Sequence, residues 1–129
     1  MLTYLDANVL IHAARGEEAW AARAMRVIDD PSIRFASSVF LELELLPNSR
    51  KQQLQFYKKY FNRVSVWAER YRSITDLARR EAVAYGILAI DALHLAAAAS
   101  VKARLVTFER SSKPLFRSRA TEIVSLADE

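Results

Sequence analysis

Five carboxylates stand where the pattern of this 129-residue chain could use them for chemistry. Asp6 follows the short, β-capable run Leu2-Thr3-Tyr4-Leu5 and precedes a helical pattern, Val9 to Ala14, so it marks a strand end and a helix start. Glu42 and Glu44 both lie in Phe40-Leu41-Glu42-Leu43-Glu44-Leu45-Leu46. On a helical projection Glu44 falls between Phe40 and Leu41, and Glu42 between Leu45 and Leu46, so neither has a broad polar face and at least one is expected to be poorly solvated. Asp91 opens the alanine-rich run Asp91-Ala92-Leu93-His94-Leu95-Ala96, and Glu109 follows Arg104-Leu105-Val106-Thr107-Phe108. Each acid has a plainer explanation. Asp6 or Asn8, and Asp91, are natural helix caps; the two glutamates could reach the water edge of their helix; Glu109 begins a polar stretch. Together, though, an acid beyond an early strand, one in an apolar helix, one at a helix start and one beyond a late strand could converge. Converging carboxylates are oxygen ligands for a hard divalent cation.

The elements that must position them follow from periodicity and breakers. The spacing predicts a strand over Leu2–Leu5, a helix from Val9, and a second helix from Glu17 to Asp29 that stops at Asp30-Pro31. Ile33 to Ala36 alternates like a short strand, and Ser37 or Ser38 offers a side-chain cap for the run Val39 to Leu46, which Pro47-Asn48-Ser49 breaks. A basic, aromatic helix is expected over Arg50 to Arg63, an extended piece over Val64 to Val66, and a long helix from Ala68 to Tyr85 ended by Gly86. A further helix starts near Ile90-Asp91 and runs through Ser100; Arg104 to Phe108 and Glu122 to Leu126 read as strands, with a turn at Lys113-Pro114. Strands alternating with helical stretches predict an α/β fold, a three-layer α/β/α sandwich around a small parallel sheet. In such sheets functional groups collect beyond the strands' carboxyl ends. Asp6 and Glu109 stand at two such ends.

Composition narrows the chemistry. A chain of this length with 52% hydrophobic and 26% charged residues is expected to form one globular domain, residues 1–129. With no cysteine, disulfides, thiolate nucleophiles and Cys-ligated metals are excluded. His12 and His94, the only histidines, cannot build a histidine-rich metal site. Neither has an obvious serine partner, which argues against a Ser-His-Asp hydrolase; His94 reads as a helix-face neighbour of Asp91, and His12 as a structural or surface residue. The longest uncharged stretch, Ala92 to Val101, is ten residues, far short of the ~20 needed to span a bilayer. Without a basic, apolar leader, the expected location is the cytoplasm. The net charge of +4 is compatible with a polyanionic partner and decides little.

Four pieces, Tyr4-Leu5-Asp6-Ala7-Asn8-Val9-Leu10-Ile11, Ser37-Ser38-Val39-Phe40-Leu41-Glu42-Leu43-Glu44, Ile90-Asp91-Ala92-Leu93-His94-Leu95-Ala96-Ala97-Ala98 and Leu105-Val106-Thr107-Phe108-Glu109, occur in this order over nearly the whole chain. In that order the sequence resembles the PIN-domain family and, within it, the VapC-like ribonuclease toxins. The resemblance implies a catalytic set of Asp6, Glu44, Asp91 and Glu109, with Asp6, Asp91 and Glu109 as metal ligands and magnesium or manganese as the cofactor. Relatives place the helical glutamate six residues after the serine, which from Ser38 selects Glu44 over Glu42. Asn8, Ser38 and Thr107 occupy the places of polar residues that support the acids or their water. Relatives more often carry Asp where this chain has Glu109, and the extra methylene moves its oxygens by about one C–C bond.

The implied activity is hydrolysis of RNA phosphodiesters, with an inhibitory antitoxin and a homodimeric assembly as implied partners and no membrane association. Divalent metal can acidify the attacking water, neutralise phosphate charge and stabilise the leaving oxygen. RNA would need basic surface. Arg50 to Arg63 mixes bases with aromatics, but Leu54, Tyr57, Phe61 and Val64 recur at helical spacing as a core or dimer face would. Arg110, Lys113, Arg117 and Arg119 form a second basic group nearer Glu109. The alternative is a catalytically weak PIN-like scaffold that binds RNA or protein. A haloacid-dehalogenase-type phosphatase would need an aspartate where Asn8 stands. A receiver domain would need an early acidic pair and a regular βα alternation that the helical middle of this chain lacks.

Overall fold

Tyr4 and Leu5 are wholly buried, and around them a parallel sheet is assembled. A computed structural model of the chain describes residues 1–16 and 19–128. The elements run β1 (Leu2–Leu5), α1 (Ala7–Arg15), α2 (Ala19–Ile28), β2 (Arg34–Ser37), α3 (Val39–Leu45), α4 (Lys51–Arg63), β3 (Val66–Trp67), α5 (Tyr71–Tyr85), α6 (Ala89–Ser100), β4 (Arg104–Thr107), a 3-10 turn (Pro114–Arg117) and β5 (Ile123–Ser125). The strand order is β3-β2-β1-β4-β5, and every pairing is parallel. The fold is the expected α/β arrangement, a five-stranded parallel sheet flanked by helices. Chain order reverses direction on either side of β1, so the crevice between the carboxyl ends of β1 and β4 is a topological switch point. In register, Leu5 lies beside Val106, which places Asp6 and Thr107 side by side just beyond the pairing.

Most elements lie within a residue or two of their expected bounds, and the departures have local causes. The expected start of the second helix at Glu17 lies outside the described residues. The extended piece expected over Val64 to Val66 pairs as Val66–Trp67, and the Ala68 N–H extends the ladder by donating to the Ser37 carbonyl at 2.8 Å. The following helix therefore begins at Tyr71 rather than Ala68. Ser38 does stand at the N-cap of α3, but its hydroxyl makes no capping bond. Asp91 is not a cap either: Leu88 holds the N-cap position of α6, and Asp91 lies inside its first turn.

Phe35, Leu41, Leu95 and Leu105 fill the core beside β1. Helix α6 is apolar nearly all round, and Ala96, Ala97 and Ala98 are fully buried, as a helix enclosed between layers requires. It packs against α3, α5 and the strands β1, β2 and β4. Tyr57, Tyr60 and Phe61 of α4 are buried in the same core, so most of its aromatic rings are packing groups rather than a stacking surface. Among the described residues no helix is long and apolar enough to cross a membrane.

Gly86 ends α5 with φ +71°, a left-handed conformation that L side chains rarely adopt, and a Cβ there would meet open space. Gly86→Ala should therefore cost about 1 kcal/mol through backbone strain alone, and Gly86→Asn less; chemical denaturation should show a lower midpoint with an unchanged slope.

Candidate active site

Asp6 is 5% exposed, and both carboxylate oxygens are engaged. Oδ1 accepts from the Ala7 N–H at 2.8 Å, and Oδ2 accepts from the Thr107 hydroxyl at 2.9 Å. The capping reading is thus correct, and it leaves one lone pair per oxygen for another partner. Thr107 Oγ1 in turn accepts from the Glu109 N–H at 3.0 Å and from Asn8 Nδ2 at 3.4 Å. Asn8 Oδ1 accepts from the Phe108 N–H at 3.1 Å. These bonds tie the start of α1 to the turn after β4. The Glu109 carbonyl accepts from Ser125 Oγ at 2.7 Å, which anchors that turn to β5 as well.

A second chain of hydrogen bonds enters from the core. Ser38 Oγ lies 2.6 Å from Tyr4 Oη, which lies 2.7 Å from His94 Nδ1, and His94 Nε2 lies 2.7 Å from Glu44 Oε1. An ionised carboxylate can only accept, so Nε2 carries a proton; in the neutral ring Nδ1 then accepts from Tyr4, and Tyr4 from Ser38. Tyr4, Ser38 and His94 are buried, whereas the Glu44 side chain is about one-third exposed. Neither Glu42 nor Glu44 is buried, contrary to the expectation from the apolar helix. Of the two, Glu44 meets His94.

Electrostatics bring the acids together. Burial pushes the Asp6 carboxyl above its usual range, and nearby His94, the Thr107 hydroxyl and the Ala7 N–H oppose that rise. Asp91 is pushed up to about 6, first by partial burial, then by the charges of Asp6 and Glu109, with a further contribution from Glu44 and opposition from His94. Asp91 therefore lies within electrostatic reach of Asp6, Glu109 and Glu44, and Asp6 within reach of Glu44, at the carboxyl edge of the sheet. Beside it, Trp20 stacks on Phe108 with ring centroids 4.7 Å apart, and His12 meets both rings edge-on.

The donor chemistry of this pocket suits a hard cation, because it offers carboxylates and hydroxyls without thiolate. Among the described residues, no three acid or histidine side chains are gathered closely enough to form a coordination shell. Magnesium commonly keeps several waters and takes only one or two carboxylates, so a site for it need not gather three.

Sequence reasoning missed the roles of His94 and Tyr4. The available signal was a tyrosine in a strand reading as wholly buried, since a buried phenol needs a hydrogen-bond partner.

Two outcomes follow from this geometry. Tyr4→Phe leaves His94 Nδ1 and Ser38 without their shared partner and should destabilise the fold by about 1–3 kcal/mol, measured by urea denaturation. Asp91 titrates near 6 when folded against 3.8 ordinarily. Between those values the native state holds the extra proton, so stability from this group falls as pH rises through 6. Asp91→Asn, which removes the repulsion, should raise the melting temperature by about 2–5 °C at pH 7.5 and by much less at pH 4.

Residues 3–114 match the PIN domain family model. Among curated proteins none matches the chain in sequence. Solved structures match over nearly the full length. The chain is similar to one in the VapBC2 complex of Rickettsia felis bound to a promoter DNA fragment, with 19% identity, 97% of this chain and 98% of that one covered, and a TM-score of 0.71. It is similar to one in a toxin–antitoxin complex from Klebsiella pneumoniae, with 18% identity, coverage of 95% and 96%, and a TM-score of 0.73. It is also similar to one in VapBC-1 of nontypeable Haemophilus influenzae, with 20% identity, coverage of 97% and 98%, and a TM-score of 0.71. These likenesses concern the fold, and with the family match over residues 3–114 they lead to one conclusion: the chain belongs to the PIN domain family.

Proposed function

We propose that this protein is a metal-dependent endoribonuclease that hydrolyses RNA phosphodiester bonds, with Asp6, Glu44, Asp91 and Glu109 as its catalytic carboxylates. One observation carries the reading: beside the switch point of the sheet Asp91 feels the charges of Asp6, Glu109 and Glu44, which together with partial burial raise its carboxyl to about 6. Such crowding costs stability unless a cation relieves it.

When bound, magnesium or manganese supplies charge neutralisation at the phosphate and makes the attacking water more acidic. Asp6 and Asp91 would hold it, with Glu109 as a third ligand directly or through water. The remaining work falls to the chain. Thr107 and the Ala7 N–H fix the orientation of Asp6 on a rigid strand end. Glu44, partly exposed and held by His94, is assigned the proton of the water that attacks phosphorus as the P–O bond to the leaving oxygen breaks. Asn8 and Thr107 keep the turn carrying Glu109 against that site. Ser38 supports Glu44 at a distance, through Tyr4 and His94.

The proposal extends to a cytoplasmic toxin of a type II toxin–antitoxin pair that forms a homodimer. Its support is the toxin–antitoxin complex from Klebsiella pneumoniae and the member of the VapBC family of toxin–antitoxin systems from Mycobacterium tuberculosis among the similar structures, and exposed apolar side chains beside the acids. Leu43 is 65% exposed next to Glu44, and Leu88 is 73% exposed three residues before Asp91. Apolar groups rimming a polar pocket are suited to a protein partner.

The absence of a preformed three-ligand shell among the described residues favours a second reading, a PIN-like scaffold that binds RNA or protein with little chemistry. Cleavage of mixed structured and single-stranded RNAs separates the two. The nuclease reading expects cutting that requires magnesium or manganese, stops with chelator, and falls at least about 100-fold in both Asp6→Asn and Asp91→Asn. No cleavage, with no heat of magnesium binding by calorimetry, assigns the scaffold.

A further inference from the structure

A groove with Glu44 in its wall runs along α1. Asn8, Ile11 and Arg15 share one face of that helix, and Asn8 to Arg15 covers about 10 Å of its length. A cavity of about 190 Å³ is walled by Ile11 and Arg15 on one side and by Glu44, Asn48 and Gln53 on the other. It continues into a larger one of about 460 Å³ that shares Arg15, Asn48 and Gln53 and adds Arg50 and Gln52. Glu44 thus belongs both to the acid cluster and to the mouth of the groove.

The lining changes character away from Glu44. Beyond it the walls offer two guanidinium groups, three carboxamides and the edge of Tyr57, and no further acid. Arg15 and Arg50 are exposed, and among the described residues neither is ion-paired. Burial raises the Tyr57 phenol and the Arg15 charge opposes that rise, which places the guanidinium within electrostatic reach of the opposite wall. Gln53 spends its Oε1 on the Arg50 N–H at 3.3 Å and leaves its amide N–H groups for a ligand. The groove is therefore rich in donors, cationic, and bordered at one end by Glu44.

We propose that this groove binds the backbone phosphates of the RNA strand on one side of the bond to be cut, with Arg15 and Arg50 as the phosphate-contacting residues. The assignment rests on the ribonuclease reading and deepens it. It differs from the sequence-based expectation for Arg110, Lys113, Arg117 and Arg119, which line neither of these cavities. Donor-rich walls suit phosphate oxygens, and bidentate guanidinium contacts fix a strand without reading its bases.

The test is binding of a phosphorothioate-linked, unstructured ten-nucleotide RNA by the full chain with magnesium present, followed by fluorescence anisotropy across a salt series. Arg15→Gln/Arg50→Gln should weaken binding about 10–100-fold and reduce the slope of log K against log salt by about 1.4, since each single-strand phosphate contact contributes roughly 0.7. Arg15→Lys/Arg50→Lys should recover most of the slope. Arg72→Gln/Arg80→Gln removes the same charge from α5, which packs on α6 and the 3-10 turn, and should change affinity less than twofold. Equal weakening by both glutamine pairs, or wild-type affinity in the Arg15/Arg50 pair, would overturn the assignment. So would a ten-residue glutamate peptide binding the wild type more tightly than the RNA, which would give the groove to an acidic protein segment. The readout also separates this inference from the reading beneath it. A protein that cuts no RNA yet shows the Arg15/Arg50-dependent slope keeps the groove and loses the nuclease. One that cuts RNA while the Arg15/Arg50 pair binds normally keeps the nuclease and loses the groove.

Discussion

Like-charge repulsion at the carboxyl edge of the sheet is the constraint on which the rest of this structure depends. The β3-β2-β1-β4-β5 order puts the ends of β1 and β4 side by side, and with them Asp6 and the turn carrying Glu109. Asp91 of α6 and Glu44 of α3 lie within electrostatic reach of that edge. A buried or half-buried carboxylate is costly by itself, and several facing one another are more so. The rise of Asp91 to about 6 is the residue of that cost.

Two hydrogen-bond systems hold the acids in place despite it. One is local: Thr107 and Asn8 connect Asp6 to the turn after β4, so that a strand end, a helix start and a loop move as a unit. The other passes through the core, from Ser38 to Tyr4 to His94 and out to Glu44. His94 joins the two ends of this chain, bonded to Tyr4 at Nδ1 and orienting Glu44 from Nε2. Buried polar chains of this kind fix geometry when every member is satisfied. Glu44, at the open end of the second chain, is also where the cationic groove along α1 begins.

Much of this was legible from sequence because it is periodic or punctuated. Gly86 ended a helix, Asp30-Pro31 ended another, and the alternation of strands with helices implied the parallel sheet. Asp6 and Glu109 could be placed beyond strand ends for the same reason. Tertiary partners were not legible. No local pattern says that the Ser38 hydroxyl turns away from its own helix toward Tyr4, or that His94 reaches fifty positions back to Glu44. The choice between Glu42 and Glu44 lay beyond spacing alone, since both looked equally enclosed, and it came from family resemblance. Arg50 headed a basic segment already weighed for RNA, but its pairing with Arg15 in one groove was hidden because the end of α1 and the loop before α4 are distant in sequence.

The central claim is that the carboxylates share one pocket, and the most direct measurement is the titration of Asp91 itself, followed by side-chain carbonyl NMR in the metal-free protein and again in Asp6→Asn. The account predicts a midpoint near 6 in the wild type that moves down toward 3.8 when the Asp6 charge is removed. An Asp91 that titrates near 3.8 in both proteins would mean that the acids do not face one another, and the pocket as described would not exist.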